Sequence, residues 1–157
     1  MMNKNNTYFE NLYKIGCEWE TAREERRARK QTIIDTYGWD SEELKAWYAE
    51  DKAATFPFAQ GTSKAYRAWK TSLQRKEDEV EMNDFLWERE VPDFIEALRQ
   101  AGIKTFVYTN QSTAVMENLH GFAKAGCIMT GLTTITRRER RFGEYRDEEI
   151  LGIHFTL

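Results

Sequence analysis

The sequence predicts an α+β protein in which a helical amino-terminal half precedes a small β-α-β-β mixed sheet of about three strands packed on helices. Two prolines and nine glycines in 157 residues favour helices over a turn-rich all-β fold. Apolar residues make up 41 % of the chain, which is enough for a hydrophobic core. Short β-branched, aromatic or alternating apolar runs in the carboxyl-terminal half predict the strands. We therefore predict a helical region at 1–82 and a βαββ region at 83–157, within one compact domain.

The amino-terminal region begins with one predicted long helix over residues 4–36. Apolar side chains recur at intervals of three and four along Tyr8–Ala22, which predicts a narrow seam suited to packing within the monomer or across a dimer. Basic residues then dominate Arg23–Lys30. We interpret this run as a solvated face with ion pairs, and the alternative is a basic patch for a partner. A capping box at Asp40–Glu43 predicts the start of a second helix.

An acidic segment follows the helical region. Nine acidic residues oppose the single Arg89 between Glu77 and Glu96. One interpretation is a solvated helix surface. The other is a surface that docks on a basic groove and competes there with nucleic acid, with Trp87 and its neighbours as an apolar anchor or as core. The residues predicted to bind a partner are Glu77, Asp78, Glu79, Glu81, Asp84 and Trp87.

The stretch Val91–Thr113 has the clearest local signals in the chain. A proline in the first turn and apolar residues at helical spacing predict a helix that ends at Gly102. Ile103–Tyr108 is β-branched and aromatic, which predicts a buried strand. Asn110, Ser112 and Thr113 then supply side chains that cap a following helix, predicted over Thr113–Ala125.

The carboxyl-terminal end predicts two further strands. Cys127–Thr136 forms a second strand, and a short strand–helix–strand connection predicts that it runs parallel to the first. Arg137–Arg146 is expected to be a charged turn. Alternating apolar residues predict a final strand over Ile150–Leu157, which pairs antiparallel with Thr133–Thr136.

The polar turn after the first predicted strand is a candidate anion site. Ligands bind at the carboxyl ends of strands in open α/β sheets, and helix amino termini favour anions. Arg137 and Arg138 follow the second strand and can approach the same edge. The alternative is ordinary helix capping. The anion-binding candidates are Thr109, Asn110, Gln111, Ser112 and Thr113.

The arginine-rich turn is a candidate nucleic-acid interface. Five arginines interleaved with aromatic residues can bind phosphates and stack on bases. Asp147–Glu149 follow directly, so a salt-bridged surface turn is the alternative. The nucleic-acid candidates are Arg137, Arg138, Arg140, Arg141 and Tyr145.

Other signals of function are few. The net charge of −3 gives no overall attraction to nucleic acid. Cys17 and Cys127 lie far apart and no signal sequence is predicted, so we expect reduced thiols and a cytoplasmic location. We find no nucleotide-binding or hydrolase motif, and we expect no catalytic residues, no metal site and no cofactor. His120 and His154 are interpreted as structural or exposed.

The segment AGIKTFVYTNQS is similar to the second motif of haloacid-dehalogenase-type phosphatases. The resemblance implies that Thr109 occupies the position of a Ser or Thr that holds a phosphoryl group. Those enzymes also need a nucleophilic aspartate in a DxD pattern on an earlier strand. The sequence contains no DxD, and we predict no earlier strand, so we do not expect an enzyme.

The stretch VPDFIEALRQAGIKTFVYTNQSTAVMENLHGFAKAGCIMTGLTTITRRE, together with EEILGIHF, resembles an uncharacterised family of small proteins on mobile genetic elements of gut Firmicutes: plasmids, conjugative elements and prophages. The resemblance covers about residues 85–157. It implies roles in maintenance, transfer or evasion of host defence. We therefore expect a non-enzymatic module that binds a host or defence protein, such as an inhibitor of a CRISPR effector nuclease.

Overall fold

A computed structural model describes residue 2 and residues 5–157, with only the backbone described at Arg141. It confirms the predicted α+β class. The helices are α1 (Thr7–Tyr37), α2 (Glu42–Ala53), α3 (Gln60–Gln74), α4 (Val91–Gln100) and α5 (Val115–Lys124), with a 3-10 turn at Glu88–Glu90. The strands are β1 (Val80–Met82), β2 (Thr105–Tyr108), β3 (Ile128–Arg141) and β4 (Glu144–Thr156). The chain forms two compact units: Phe9–Phe58 is the helical unit, and Ala59–Leu157 with the described residues of Met1–Tyr8 is the sheet unit.

In the helical unit, α1 and α2 are held together by indole hydrogen bonds and ion pairs. The Trp47 indole N–H donates to the carbonyl of Arg26 at 2.8 Å, and Arg29 pairs with Glu50. Basic residues of α1 therefore form ion pairs with acidic residues of α2. Ser41, not the predicted Asp40, caps α2, since its Oγ accepts the backbone N–H of Leu44 at 3.3 Å.

The sheet unit contains a four-stranded mixed sheet in the order β1-β2-β4-β3. β2 is parallel to β1 and antiparallel to β4, and β3 is antiparallel to β4. β2 and β3 therefore run in the same direction, as predicted, but β4 lies between them. The predicted pairing of the last strand with Thr133–Thr136 is confirmed, because Thr133 faces Gly152 and Ile135 faces Ile150.

The core lies between one sheet face and the helices α4 and α5. Phe94 of α4 and Phe122 of α5 pack on Phe106 of β2, and Phe155 of β4 stacks on Phe106 with ring centroids 5.2 Å apart. All four rings are buried. α4 ends as predicted, with Gly102 at a φ of 70° and a hydrogen bond from the next residue's N–H back into the last turn at 3.0 Å.

The sequence prediction missed β1. Its residues lie in a region predicted to be helical, but α3 ends at Gln74 and the chain turns into a three-residue strand. α3 covers the outer edge of that strand, because the N–H of Glu81 donates to Ser72 Oγ at 2.8 Å. A strand this short carries no periodicity that a sequence pattern can detect.

Candidate functional site

The turn predicted to bind an anion follows β2 and lies beside the end of β1. Thr109 is buried, its N–H donates to the carbonyl of Met82 at 3.0 Å, and its hydroxyl donates to the carboxylate of Glu81 at 2.5 Å. The Thr109 hydroxyl is therefore already bound. An anion at this turn would also lie near a carboxylate, so the local charge does not favour one.

The remaining residues of this turn do not cap α5, which corrects the prediction. Asn110 accepts the N–H of Ser112 at 2.9 Å and donates its amide to the carbonyl of Asn83 at 2.8 Å. It thus closes an Asx turn. α5 begins after Ala114 with no side-chain cap. Gln111 and Thr113 are exposed.

Glu81 is the centre of a buried ion cluster. Its side chain is 1 % exposed and pairs with Arg137 of β3 and, at 3.3 Å, with Arg75. Asn83 donates to its other oxygen at 3.3 Å. Burial favours the neutral acid, but the hydrogen bonds from Thr109 and Arg137 outweigh it and lower the pKa of Glu81. The cluster therefore holds an ionised carboxylate.

Glu77 is the second carboxylate of this cluster. It lies 4.0 Å from Arg137 and is mostly buried. Burial, and then repulsion by Glu81, raises the pKa of Glu77. Arg137 stays charged, because its bond to Glu81 overcomes desolvation and raises the pKa of the guanidinium. Arg137 thus reaches the edge where an anion was expected, but carboxylates neutralise it there.

A phosphatase of the resembled type needs a strand before β2, and the sequence predicted none. β1 is such a strand. It precedes β2 and lies parallel to it, so the prediction of no earlier strand was wrong. Glu81, Met82, Asn83 and Asp84 occupy its end, and none of them forms a DxD pattern. Glu81 forms an ion pair with Arg137, and Asp84 forms one with Arg67 at 2.9 Å. The earlier strand that the phosphatase motif requires is therefore present, but the nucleophilic aspartate is not.

The predicted acidic helix surface does not exist. The segment contains β1, the 3-10 turn and the start of α4, and three of its carboxylates turn inward. Glu90 pairs with Lys64 at 2.6 Å and accepts the N–H of Trp87 at 2.9 Å. A carboxylate placed among buried strand and helix residues is stable only with such partners. A count of net charge along the sequence does not identify these partners.

The six predicted partner-binding residues therefore form no single surface. Glu77 and Glu81 lie in the buried ion cluster, so a partner cannot contact Glu81 without unfolding the site. Asp78, Asp84 and Trp87 are exposed, and Phe85 packs edge-on against Trp87 with centroids 4.6 Å apart. Their role in binding stays a prediction.

Glu79 belongs to a polar chain that crosses the sheet. It accepts a bond from Thr105 and lies 2.9 Å from His154 Nε2. Thr130 bonds the other ring nitrogen of His154. Burial would raise the pKa of Glu79, but the hydrogen bonds from Thr105 and His154 lower it. His154 is thus part of a structural chain that joins β2, β3 and β4 to the residue preceding β1.

The arginine-rich segment is a hairpin, not the predicted turn. β3 and β4 continue through it and reverse at Phe142 and Gly143, with φ values of 51° and 87°. We call residues 132–152, which project past the end of β2, the hairpin arm. The cross-strand pairs set basic against acidic residues: Arg137 and Glu148, Arg138 and Asp147, Glu139 and Arg146, Arg141 and Glu144.

This register makes the arm electrically balanced, because five arginines and five acidic residues lie within Arg137–Glu149. Arg138 and Arg140 lie 5.5 and 6.0 Å from the Tyr145 ring centroid, on one face. Arg137 points to the opposite face. The side chain of Arg141 lies outside the described residues. The candidate nucleic-acid residues are therefore divided between two faces of a neutral arm, which weakens the case for phosphate binding.

One face of the hairpin arm is open to solvent. Exposed and half-buried residues alternate strictly from Leu132 to Arg140. Leu132 is 83 % and Leu151 69 % exposed, and both line a cleft of about 250 Å³ with Val115, Tyr108 and neighbouring residues. In the sequence, these leucines indicate only strand residues. The signal that could have identified them was the period-two pattern continuing beyond the predicted strand end.

The described residues form neither a metal-ion cluster nor a helix suited to spanning a membrane. Within the part of the chain that the structure describes, no three His, Cys, Asp or Glu side chains are grouped to hold a metal ion. None of the helices in that part combines the length and apolar character that crossing a bilayer requires.

Most of the sheet unit matches a known protein family. A family model described as a domain of unknown function (DUF7698) matches residues 64–157. Since the match covers more than half of the chain, the protein belongs to this family. The matched residues include all four strands, the buried ion cluster and the hairpin arm. No curated protein and no solved structure matches the chain.

Proposed function

We propose that this protein is a non-enzymatic protein-interaction module that binds its partner through the exposed face of the hairpin arm. The observation that carries the proposal is the exposure of Leu132 and Leu151, at 83 % and 69 %. Large apolar side chains grouped on a surface favour a protein partner, because contact removes them from water.

The position of the two leucines supports this role. They lie on the same face of neighbouring strands, since Thr134 is the residue directly opposite Leu151. The adjoining cleft is lined largely by apolar residues and can accept a partner's side chain. Binding hot spots combine such a pocket with a polar rim. Thr109–Gln111 form part of that rim.

Charge on the same face indicates the kind of partner. Arg138 and Arg140 are exposed beyond Leu132 on β3, with Tyr145 beside them. Arginine and tyrosine are enriched in protein interfaces. The partner surface therefore combines an apolar residue with carboxylates that pair with these two guanidiniums.

The class of partner is proposed from the sequence resemblance. Proteins of mobile elements often act on host defence, so we propose a cytoplasmic host protein, with a CRISPR effector nuclease as the first to test. The acidic residues first expected to make this contact form no single surface, because Glu81 is buried while Asp78 and Asp84 are exposed. The arm is the alternative that the geometry favours.

Affinity capture from a host-like lysate tests the proposal. Wild type is compared with Leu132→Asp, Leu151→Asp and a control, Met116→Asp, which likewise replaces an apolar side chain with aspartate at a 73 % exposed position on α5. We expect one protein to be captured by wild type and control, and lost with both leucine variants. Capture that survives in the leucine variants would refute the proposed surface.

The same capture, repeated after nuclease treatment, tests nucleic-acid binding. A partner that persists supports direct protein contact. Loss of every partner would favour the arginines as a nucleic-acid interface. That interface also requires affinity that falls steeply with salt.

A further inference from the structure

The outer edge of β3 has no strand beside it in the described sheet, where β3 is the last strand. An edge strand presents backbone N–H and C=O groups that can pair with another chain. β3 has fourteen residues, much longer than a typical edge strand. The edge is therefore large enough to take an added strand.

We infer that the partner binds by β-strand addition: an extended acidic segment pairs with the β3 edge and forms a fifth strand. This inference rests on the proposed function, because it names how the partner meets the hairpin arm. Such addition takes affinity from main-chain hydrogen bonds and specificity from alternate side chains.

The regularity of the outer part of β3 supports strand addition. Bulges and irregular register protect sheet edges from pairing. The register shift in β3 falls between Met129 and Gly131, at its inner end. From Leu132 to Arg141 the pairing with β4 is continuous. The protective irregularity thus lies outside the stretch that would receive a strand.

Charge on the exposed face makes the added strand acidic. In that face β4 carries Asp147 and Glu149, and β3 carries Arg138 and Arg140. A strand added beside β3 contacts the arginines first and is shielded from the β4 acids by β3 itself. Opposite charges on directly opposed residues stabilise a pair of strands.

A second copy of the chain suits this edge less well. Arg137–Arg141 holds four arginines and one glutamate. Antiparallel pairing of two such strands, centred on their outer parts, places arginine against arginine, which is destabilising. The occupant is therefore a different protein segment.

Strand geometry fixes the spacing of that segment. Residues of one face recur every second position, so Arg140, Arg138 and Leu132 are opposed by residues at relative positions zero, two and eight of an antiparallel partner. The expected pattern is acid, any residue, acid, five residues of any kind, then an apolar residue. This pattern can be searched for in any captured partner.

A synthetic peptide tests the inference on the intact protein. The probe is an eleven-residue polythreonine with glutamate at its second and fourth positions and leucine at its tenth. One control peptide carries lysines in place of the glutamates, and another has the glutamates moved by one position to the opposite face. We expect saturable binding of the probe and at least about tenfold weaker binding of either control.

Backbone methylation distinguishes strand addition from side-chain contact. In an added strand, alternate amides point to β3 and to solvent. Methylating the peptide nitrogens at odd positions in one peptide and even positions in another should abolish binding in only one of the two. Equal binding of both, or no binding of the unmethylated probe, would overturn the inference.

Protein variants separate this inference from the proposed function. Arg138→Gln with Arg140→Gln should weaken the probe at least about tenfold, whereas Arg146→Gln on the adjacent strand should not. If the leucine variants abolish lysate capture but the probe does not bind, the interaction surface stands and strand addition fails. If the probe binds but the leucine variants leave lysate capture unchanged, the proposed function fails instead.

Discussion

Replacing Arg137 with leucine tests whether the buried ion cluster stabilises the sheet unit. The substitution removes one of two cations from Glu81, whose side chain is 1 % exposed. Arg75, at 3.3 Å, and the hydroxyl of Thr109 remain as partners. Breaking a buried ion pair costs about 3–5 kcal/mol, and the remaining partners place this case near about 3 kcal/mol.

The loss is measurable by urea or thermal unfolding followed by circular dichroism. For a protein of this size, about 3 kcal/mol corresponds to a fall in Tm of about 6–12 °C. Arg146→Leu is the matched control, since that side chain is 71 % exposed and pairs only with surface Glu144 among the described residues. We expect the control to change stability by less than about 0.5 kcal/mol.

A double variant identifies the cause of the loss. Glu81→Gln in the Arg137→Leu background removes the buried negative charge that has lost Arg137, while keeping a side chain of similar shape. We expect it to recover at least about 1 kcal/mol. A single-variant loss below about 1 kcal/mol, or a double variant no more stable than Arg137→Leu, would refute the claim that the loss of Arg137 from a buried carboxylate determines the effect.

Two further predictions concern pH and backbone packing. The pKa of Glu77 is raised above 4.5 in the folded state, so the folded state binds this proton more tightly than the unfolded state. The protonated Glu77 therefore contributes stability that is fully present below pH 4.5 and is lost as the pH rises through the folded pKa. Glu77→Gln should therefore raise stability at pH 7 and weaken the fall of the urea midpoint as the pH rises above 4.5; an unchanged pH profile would contradict this. Gly61→Ala places a methyl group 2.7 Å from the backbone nitrogen of Phe94 and should cost about 3 kcal/mol. Gly16→Ala, in open space on α1, should instead stabilise by about 0.5–1 kcal/mol in the same thermal melts; a loss of Tm there would refute the packing argument.

The predictable part of the fold was the part governed by local chemistry. The α4–β2 stretch has a proline in its first turn, apolar residues at helical spacing and Gly102 at the helix end, and each of these signals acts within a few residues. β1 has only three residues and gains its stability from β2 and from Ser72 of α3. No local signal specifies such contacts, so the strand was missed together with the end of the preceding helix.

The candidate site was harder to predict, because charge patterns do not show which carboxylates turn inward. Glu81 and Arg137 are 56 positions apart in the sequence, and each belongs to a charged run that was expected to face solvent. Their pairing leaves neither charge available to a partner. The register of the hairpin then sets Arg141 and Arg146 opposite glutamates. The surface that we propose for a partner is therefore defined by Leu132 and Leu151, which no charge count would select, and by Arg138 and Arg140, the arginines on the same face. For this reason the hairpin edge, and not the acidic segment, is where binding should first be sought.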